Sequence, residues 1–173
     1  MKAILMSIRP QWVVKILNGE KTIEVRKHFP SDYVGWVYIY CTKGKTTFEK
    51  TLARYHDGKV VARFWCDKVE EIIYSEEDCE WKTKSLCFEE LLNKSLTHDY
   101  LLEYLGDNGG YAIHITKLEI FDKPKEISEF YKVGYGECVE PQGSLREQVI
   151  ENYNNALKYQ LTRAPQSWCY IEV

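Results

Sequence analysis

Alternation and helical periodicity divide the chain into many short strands and a few helices. Lys2 to Ile8 reads as an opening strand with Ala3, Ile4, Leu5 and Met6 at its centre. Arg9-Pro10 then starts a helix, because proline is accepted in a first helical turn, and Trp12, Val13, Ile16 and Leu17 fall on one face. Asn18-Gly19 ends it with a residue that accepts the left-handed conformation. From Lys21 to Lys27 the period switches to two: Ile23 and Val25 point one way, Thr22, Glu24 and Arg26 the other. After a turn around Pro30, Val34 to Thr42 is a strong strand with Val37, Ile39 and Cys41 on one face and Trp36, Tyr38 and Tyr40 on the other.

Gly44 to Gly58 is polar and loop-like, and Lys59 to Tyr74 is a long β-rich run bent at Asp67-Lys68. Two short helices are predicted next, one capped by Ser85 with Phe88, Leu91 and Leu92 inward, one capped by Thr97 and stopped by Gly106. Asp107 to Gly110 is a turn. Tyr111 to Asp122 reads as the last long strand, broken by Pro124 before a short helix near Ile127 to Tyr131. Ser144 and Glu147 form a capping-box pattern that opens a helix to about Leu161, and Trp168 to Val173 closes the chain as a strand. Helices scattered among strands without regular βαβ alternation predict an α+β protein around a mixed or barrel-like sheet.

Composition narrows this picture. At 173 residues, 45% of them hydrophobic, the chain suits one domain with one core. A mean hydropathy of −0.42 and 14% aromatic residues exclude a disordered or low-complexity chain. No apolar run nears the roughly 20 residues of a membrane span, and the stretch after Met1-Lys2 is closed by Arg9-Pro10, so neither a span nor a signal peptide is expected. The six cysteines, Cys41, Cys66, Cys79, Cys87, Cys138 and Cys169, stand singly without C-x-x-C pairs, which predicts reduced thiols and a cytoplasmic location. Four isolated histidines give no ligand spacing, so no metal or other cofactor is expected.

The net charge of −3 hides an asymmetry. Residues 1–68 hold 13 of the 23 basic and 6 of the 26 acidic residues, net +7, which leaves −10 for the rest. Such a split favours a positive face for an anionic ligand, unless the two halves of the sequence interleave in space and dilute it.

One motif carries chemistry: Gly19-Glu20-Lys21-Thr22-Ile23-Glu24-Val25-Arg26, a G-x-K-x-x-E-x-R pattern directly after a helix and opening a strand. It resembles the signature of the ASCH domain, a member of the PUA-like superfamily. The wider run from Ser7 through Arg9 to Lys27 resembles the start of many bacterial and phage-borne members, and Gly110–Ile115, Phe121–Tyr131 and Pro165–Tyr170 agree with it. The resemblance spans nearly the whole chain. It implies a PUA-like small mixed β-barrel with peripheral helices over residues 1–173, in which 133–163 is an extra C-terminal helical insertion. Residues 43–58 and 74–84 match no motif.

Physically, Gly19 permits a tight helix-to-strand turn that brings Lys21 to the strand mouth. Glu24 and Arg26, two apart on one face, can pair or together address a base edge or phosphate. Spacing leaves two readings open, a salt-bridged strand that stabilises the fold or a polar ligand site. The resemblance implies the second: a cleft that binds RNA or a modified nucleoside or nucleotide, lined by Lys21, Glu24, Arg26, Arg9, Gln166, Ser167 and Trp168. In it, Trp168 would stack while Gln166 and Ser167 meet base edges, the alternative being that Trp168 packs the final strand. Trp36, Tyr38 and Tyr40 are candidate stacking residues too, although a strand stripe of this kind is more often core. His114, inside a β run, reads as a hydrogen-bonded core residue.

The resemblance also implies an enzymatic alternative. Some small ASCH proteins are amidohydrolases that deacetylate N4-acetylcytidine with the motif lysine, a threonine nucleophile and a more distant glutamate, and ribonuclease activity occurs in the family. Lys21 matches, but Glu24 stands where that threonine would be. Lys21 and Glu24 would then be catalytic, Glu24 activating water and Lys21 or Arg26 stabilising the oxyanion, with Thr22 a poorer nucleophile. A protein partner is the third possibility, through residues 144–161, where Leu145, Val149, Tyr153, Ala156 and Tyr159 form a stripe.

Overall fold

The computed structural model describes residues 1–44, 58–77, 79–95, 98–106, 108–134 and 144–173. In chain order its elements are β1 (Lys2–Ile8), α1 (Pro10–Leu17), β2 (Ile23–Arg26), β3 (Gly35–Cys41), β4 (Lys59–Cys66), β5 (Val69–Ser75), β6 (Glu80–Lys82), α2 (Phe88–Lys94), α3 (His98–Leu105), β7 (Gly110–His114), β8 (Thr116–Lys125), a 3₁₀ turn (Ile127–Glu129), β9 (Tyr131–Lys132), α4 (Leu145–Tyr159) and β10 (Trp168–Glu172). The strands form two sheets, ordered β8-β4-β3-β1-β10-β9 and β2-β7-β5-β6. Contacts group the chain into two compact units, one of Met1–Pro10, Val37–Arg63 and Ile120–Val173, the other of Gln11–Trp36 and Phe64–Glu119. The Thr97 cap, Asp107, Cys138, residues 45–57 and residues 135–143 of the expected insertion lie outside the described residues.

In the first unit β1 is central. It pairs antiparallel with β10, from Lys2↔Glu172 to Met6↔Trp168, and parallel with β3, from Ile4↔Val37 to Ile8↔Cys41. Every residue of β1 except Lys2 is buried, which explains a continuous apolar run where a half-exposed strand would alternate. The capping box expected at α4 is present: Glu147 N–H donates to Ser144 Oγ, and Ser144 N–H donates to Glu147 Oε2 at 2.8 Å. The helix stops at Tyr159, and Leu161 N–H donates to Phe130 O. Its stripe divides, with Ala156 and Tyr159 half-buried while Leu145, Val149 and Tyr153 are exposed together with Ile150 and Leu157.

In the second unit, β7 lies between β2 (Ile23↔His114 to Arg26↔Tyr111) and β5 (Val69↔Ile113 to Ile72↔Gly110). Ile23, Val25, Ile72 and Ala112 form a buried apolar cluster with Trp81, Leu86, Leu91, Leu101 and Leu105, so α2 and α3 cover that face of the sheet. Among the described residues no helix is long and apolar enough to cross a membrane.

Three expectations change. The run Lys59 to Tyr74 is two strands, because Asp67-Lys68 hands the chain from one sheet to the other. The run Tyr111 to Asp122 is broken at Ile115, not at Pro124: Ile115 N–H donates to Thr22 O, and β8 continues through Pro124 to Lys125. As the edge strand of its sheet, β8 tolerates the missing proline N–H. Ser85 is no helix cap; Cys87 holds that place, its N–H donating to Glu90 Oε2. Thr83 Oγ1 accepts from the N–H groups of Ser85 and Leu86, which leaves the Ser85 hydroxyl for another use.

Candidate functional site

The motif begins at the end of α1. Glu20 N–H donates to Lys15 O and Gly19 N–H to Ile16 O, the paired bonds of a Schellman ending, and Gly19 takes φ +75° as that ending requires. The turn delivers Lys21 into the protein interior, where it is 2% exposed. Its Nζ donates to Ile23 O at 2.6 Å and Ser95 O at 3.0 Å and lies 3.2 Å from Glu24 Oε2. Arg26 Nη1 donates to the other oxygen, Glu24 Oε1, and to Val25 O at 3.0 Å. Glu24 is 3% and Arg26 9% exposed. The structure thus brings Lys21, Glu24 and Arg26 together as a buried ion triad with one surplus positive charge.

Burial pushes the Lys21 ammonium below its ordinary pKa; the Glu24 charge and hydrogen bond oppose that shift, while Arg26 and Lys15 add to it. Glu24, with a cation on each oxygen, is poorly placed to accept a proton from water. Beside the triad, the Lys21 Nζ lies 5.8 Å from the centre of the Trp12 ring.

Arg9, Gln166, Ser167 and Trp168 form a second group, in the first unit. Trp168 lies opposite Met6 in the β1–β10 register, Ser7 N–H donates to Ser167 O, and Ser7 Oγ donates to Pro165 O. Arg9, Gln166 and Ser167 are exposed at this end of the strand pair, whereas Trp168 is half-buried with its ring edge-to-face on Tyr170 at 5.4 Å. Of the other aromatic candidates, Trp36 and Tyr40 are half-buried and Tyr38 is buried. Tyr38 is buried against Phe130 and Phe121, and Trp36 meets Trp65 edge-to-face.

A further polar cluster escaped the sequence. Glu70 Oε2 accepts from Ser85 Oγ at 2.7 Å and contacts His114 Nε2 at 2.8 Å and Lys68 Nζ at 3.0 Å. Burial works to raise the Glu70 carboxyl, but the bonds from Ser85, Lys68 and His114 outweigh it and bring the pKa down to about 2. His114 is therefore hydrogen-bonded, as its β context suggested, to a partner 44 residues distant that no local spacing reveals. Glu70 pairs with Ala112, which pairs with Val25, so this cluster and Glu24 lie on opposite faces of one sheet. Ser85 also lines a cavity of about 630 Å³ with Lys82, Lys84 and Phe88.

With this geometry in hand, comparison with solved structures identifies the fold. No protein-family profile matches the chain, nor does any curated protein. The crystal structure of ASCH from Zymomonas mobilis superimposes with a TM-score of 0.53 at 14% identity, over 92% of this chain and 96% of that one. A tyrosine-to-phenylalanine mutant of the same protein gives 0.52 at 13% identity, over 89% and 98%. A serine-to-alanine mutant gives 0.51 at 13% identity, over 88% and 94%. The chain has an ASCH-type fold, an α+β arrangement of the PUA-like class.

Proposed function

We propose that this chain is a binding module for RNA or a nucleotide-like ligand, engaged around the Lys21–Glu24–Arg26 motif, and not a hydrolase. The observation that carries this reading is the buried triad. Taking three charges out of water costs several kcal/mol, and packed aliphatic residues would hold a sheet as well; within the triad the surplus positive charge comes nearest to solvent at Arg26, 9% exposed, and favours an anionic ligand beside the motif. A hydrolase acting through Glu24 is disfavoured, because both of its carboxylate oxygens are already paired with cations.

The test is a titration of a fluorescent, unstructured ten-nucleotide RNA, and separately of cytidine and N4-acetylcytidine, across a salt series. Binding that weakens steeply with salt, without acetate release from N4-acetylcytidine, is the expected result. No binding of any of these ligands at low salt overturns the proposal. Acetate release by the wild type that is lost in Glu24→Gln would reinstate the enzyme.

A further inference from the structure

Next to the motif, in the same compact unit, three aromatic side chains of α1 and α3 lie between two lysines, one on α1 and one just after β2. Lys15 Nζ sits 5.5 Å from the Trp12 ring centre. Trp12 meets Tyr100 edge-to-face, with centroids 5.5 Å apart and planes at 84°. Tyr104 follows Tyr100 by four residues on α3, and Lys27 Nζ lies 5.7 Å from its ring. Tyr100 is 45% exposed, Lys27 is exposed, and Trp12, Lys15 and Tyr104 are half-buried.

We infer that this band, Lys15–Trp12–Tyr100–Tyr104–Lys27, is the track on which a single-stranded RNA lies. The inference rests on the RNA-binding reading of the adjacent motif and says where the strand runs. Residues four apart on a helix share a face and are separated by about 6 Å along its axis, close to the spacing of successive bases in an extended strand. Tyr100 offers the exposed ring, and Trp12 and Tyr104, the latter packed against the core, hold Lys15 and Lys27 on either side of it; a ring of this kind stacks on a base of any identity while a nearby ammonium meets the adjoining phosphate. A duplex, whose bases are already stacked, gains nothing from the rings. Tyr38 is buried and cannot take a base in this way. Lys21 itself is sealed from solvent, so its role is to hold Trp12 and the start of β2 under the track.

Fluorescence anisotropy with the unstructured ten-nucleotide RNA and with a duplex of the same length tests this on the intact protein. Tyr100→Ala should weaken single-strand binding about ten-fold, within the range of one lost base stack, while Tyr100→Phe stays within about two-fold of wild type. Lys15→Ala and Lys27→Ala should each lower the salt slope by about 0.7, the value for one phosphate contact on a single strand, and Tyr100→Ala should leave that slope unchanged. Trp12→Phe, which keeps a ring, should remove a large part of the tryptophan quenching that RNA produces. Thermal melting confirms that each variant is folded. If wild type binds and Tyr100→Ala and both lysine variants bind equally well, the track is wrong while the RNA-binding reading stands. Equal affinity for duplex and single strand also overturns the track. If wild type fails to bind RNA at low salt, the broader reading has failed and takes the track with it.

Discussion

Glu24 sits between two buried cations, so its charge matters more than its shape. Glu24→Gln keeps the size but leaves Lys21 and Arg26 facing one another without an anion, and should cost about 3 kcal/mol, read as a lowered urea midpoint at unchanged slope. Glu70 gives a pH signature. Its folded pKa of about 2 lies below the unfolded value of roughly 4.3, so the stability it contributes is complete above about pH 4.5 and is lost as the pH falls toward 2. The span is worth about 3 kcal/mol. Glu70→Gln should flatten stability against pH across that window, as urea titrations at pH 6, 4 and 3 would show. The chemistry of the motif was legible in the residue types of Lys21, Glu24 and Arg26. Their burial was not, because alternation shows which side chains share a face and is silent on whether that face is covered.

Elements whose signals are local were readable. Gly19 ends α1 and Ser144 opens α4 because each determinant lies within a few residues of the terminus it sets. Ser85 misled for the opposite reason: it looks like a cap, but its hydroxyl belongs to Glu70, fifteen residues back in a neighbouring strand. The break at Ile115 depends on a bond to Thr22 O, which no window around residue 115 contains. Two glycines separate backbone strain from crowding. A Cβ at Gly19 meets nothing within 4 Å, so Gly19→Ala should cost only the left-handed penalty of about 1 kcal/mol. At Gly110 a Cβ would stand 2.7 Å from Arg26 O and 2.9 Å from Leu105 Cδ2, where β7 passes the end of the motif strand. Gly110→Ala should therefore cost more, about 2 to 3 kcal/mol, and thermal denaturation of the two variants side by side checks the order.

At the scale of the molecule, the split of charge at Lys68 proved a poor guide to space. Each compact unit draws residues from both sides of that point, so the +7 and −10 of the sequence are not the charges of two bodies. The exposed Leu145, Val149 and Tyr153 of α4 bury little, and replacing all three with serine should change stability by no more than about 0.5 kcal/mol, whereas sedimentation would show any self-association they mediate being lost. The pairing of β1 with β10 has a consequence for how the protein is made. Ala3 lies opposite Ile171, so more than 160 residues must leave the ribosome before β1 gains its antiparallel neighbour, a wait of roughly ten to thirty seconds. Through that interval a strand with six interior-bound residues carries an open hydrogen-bonding edge, a template on which another nascent chain can pair.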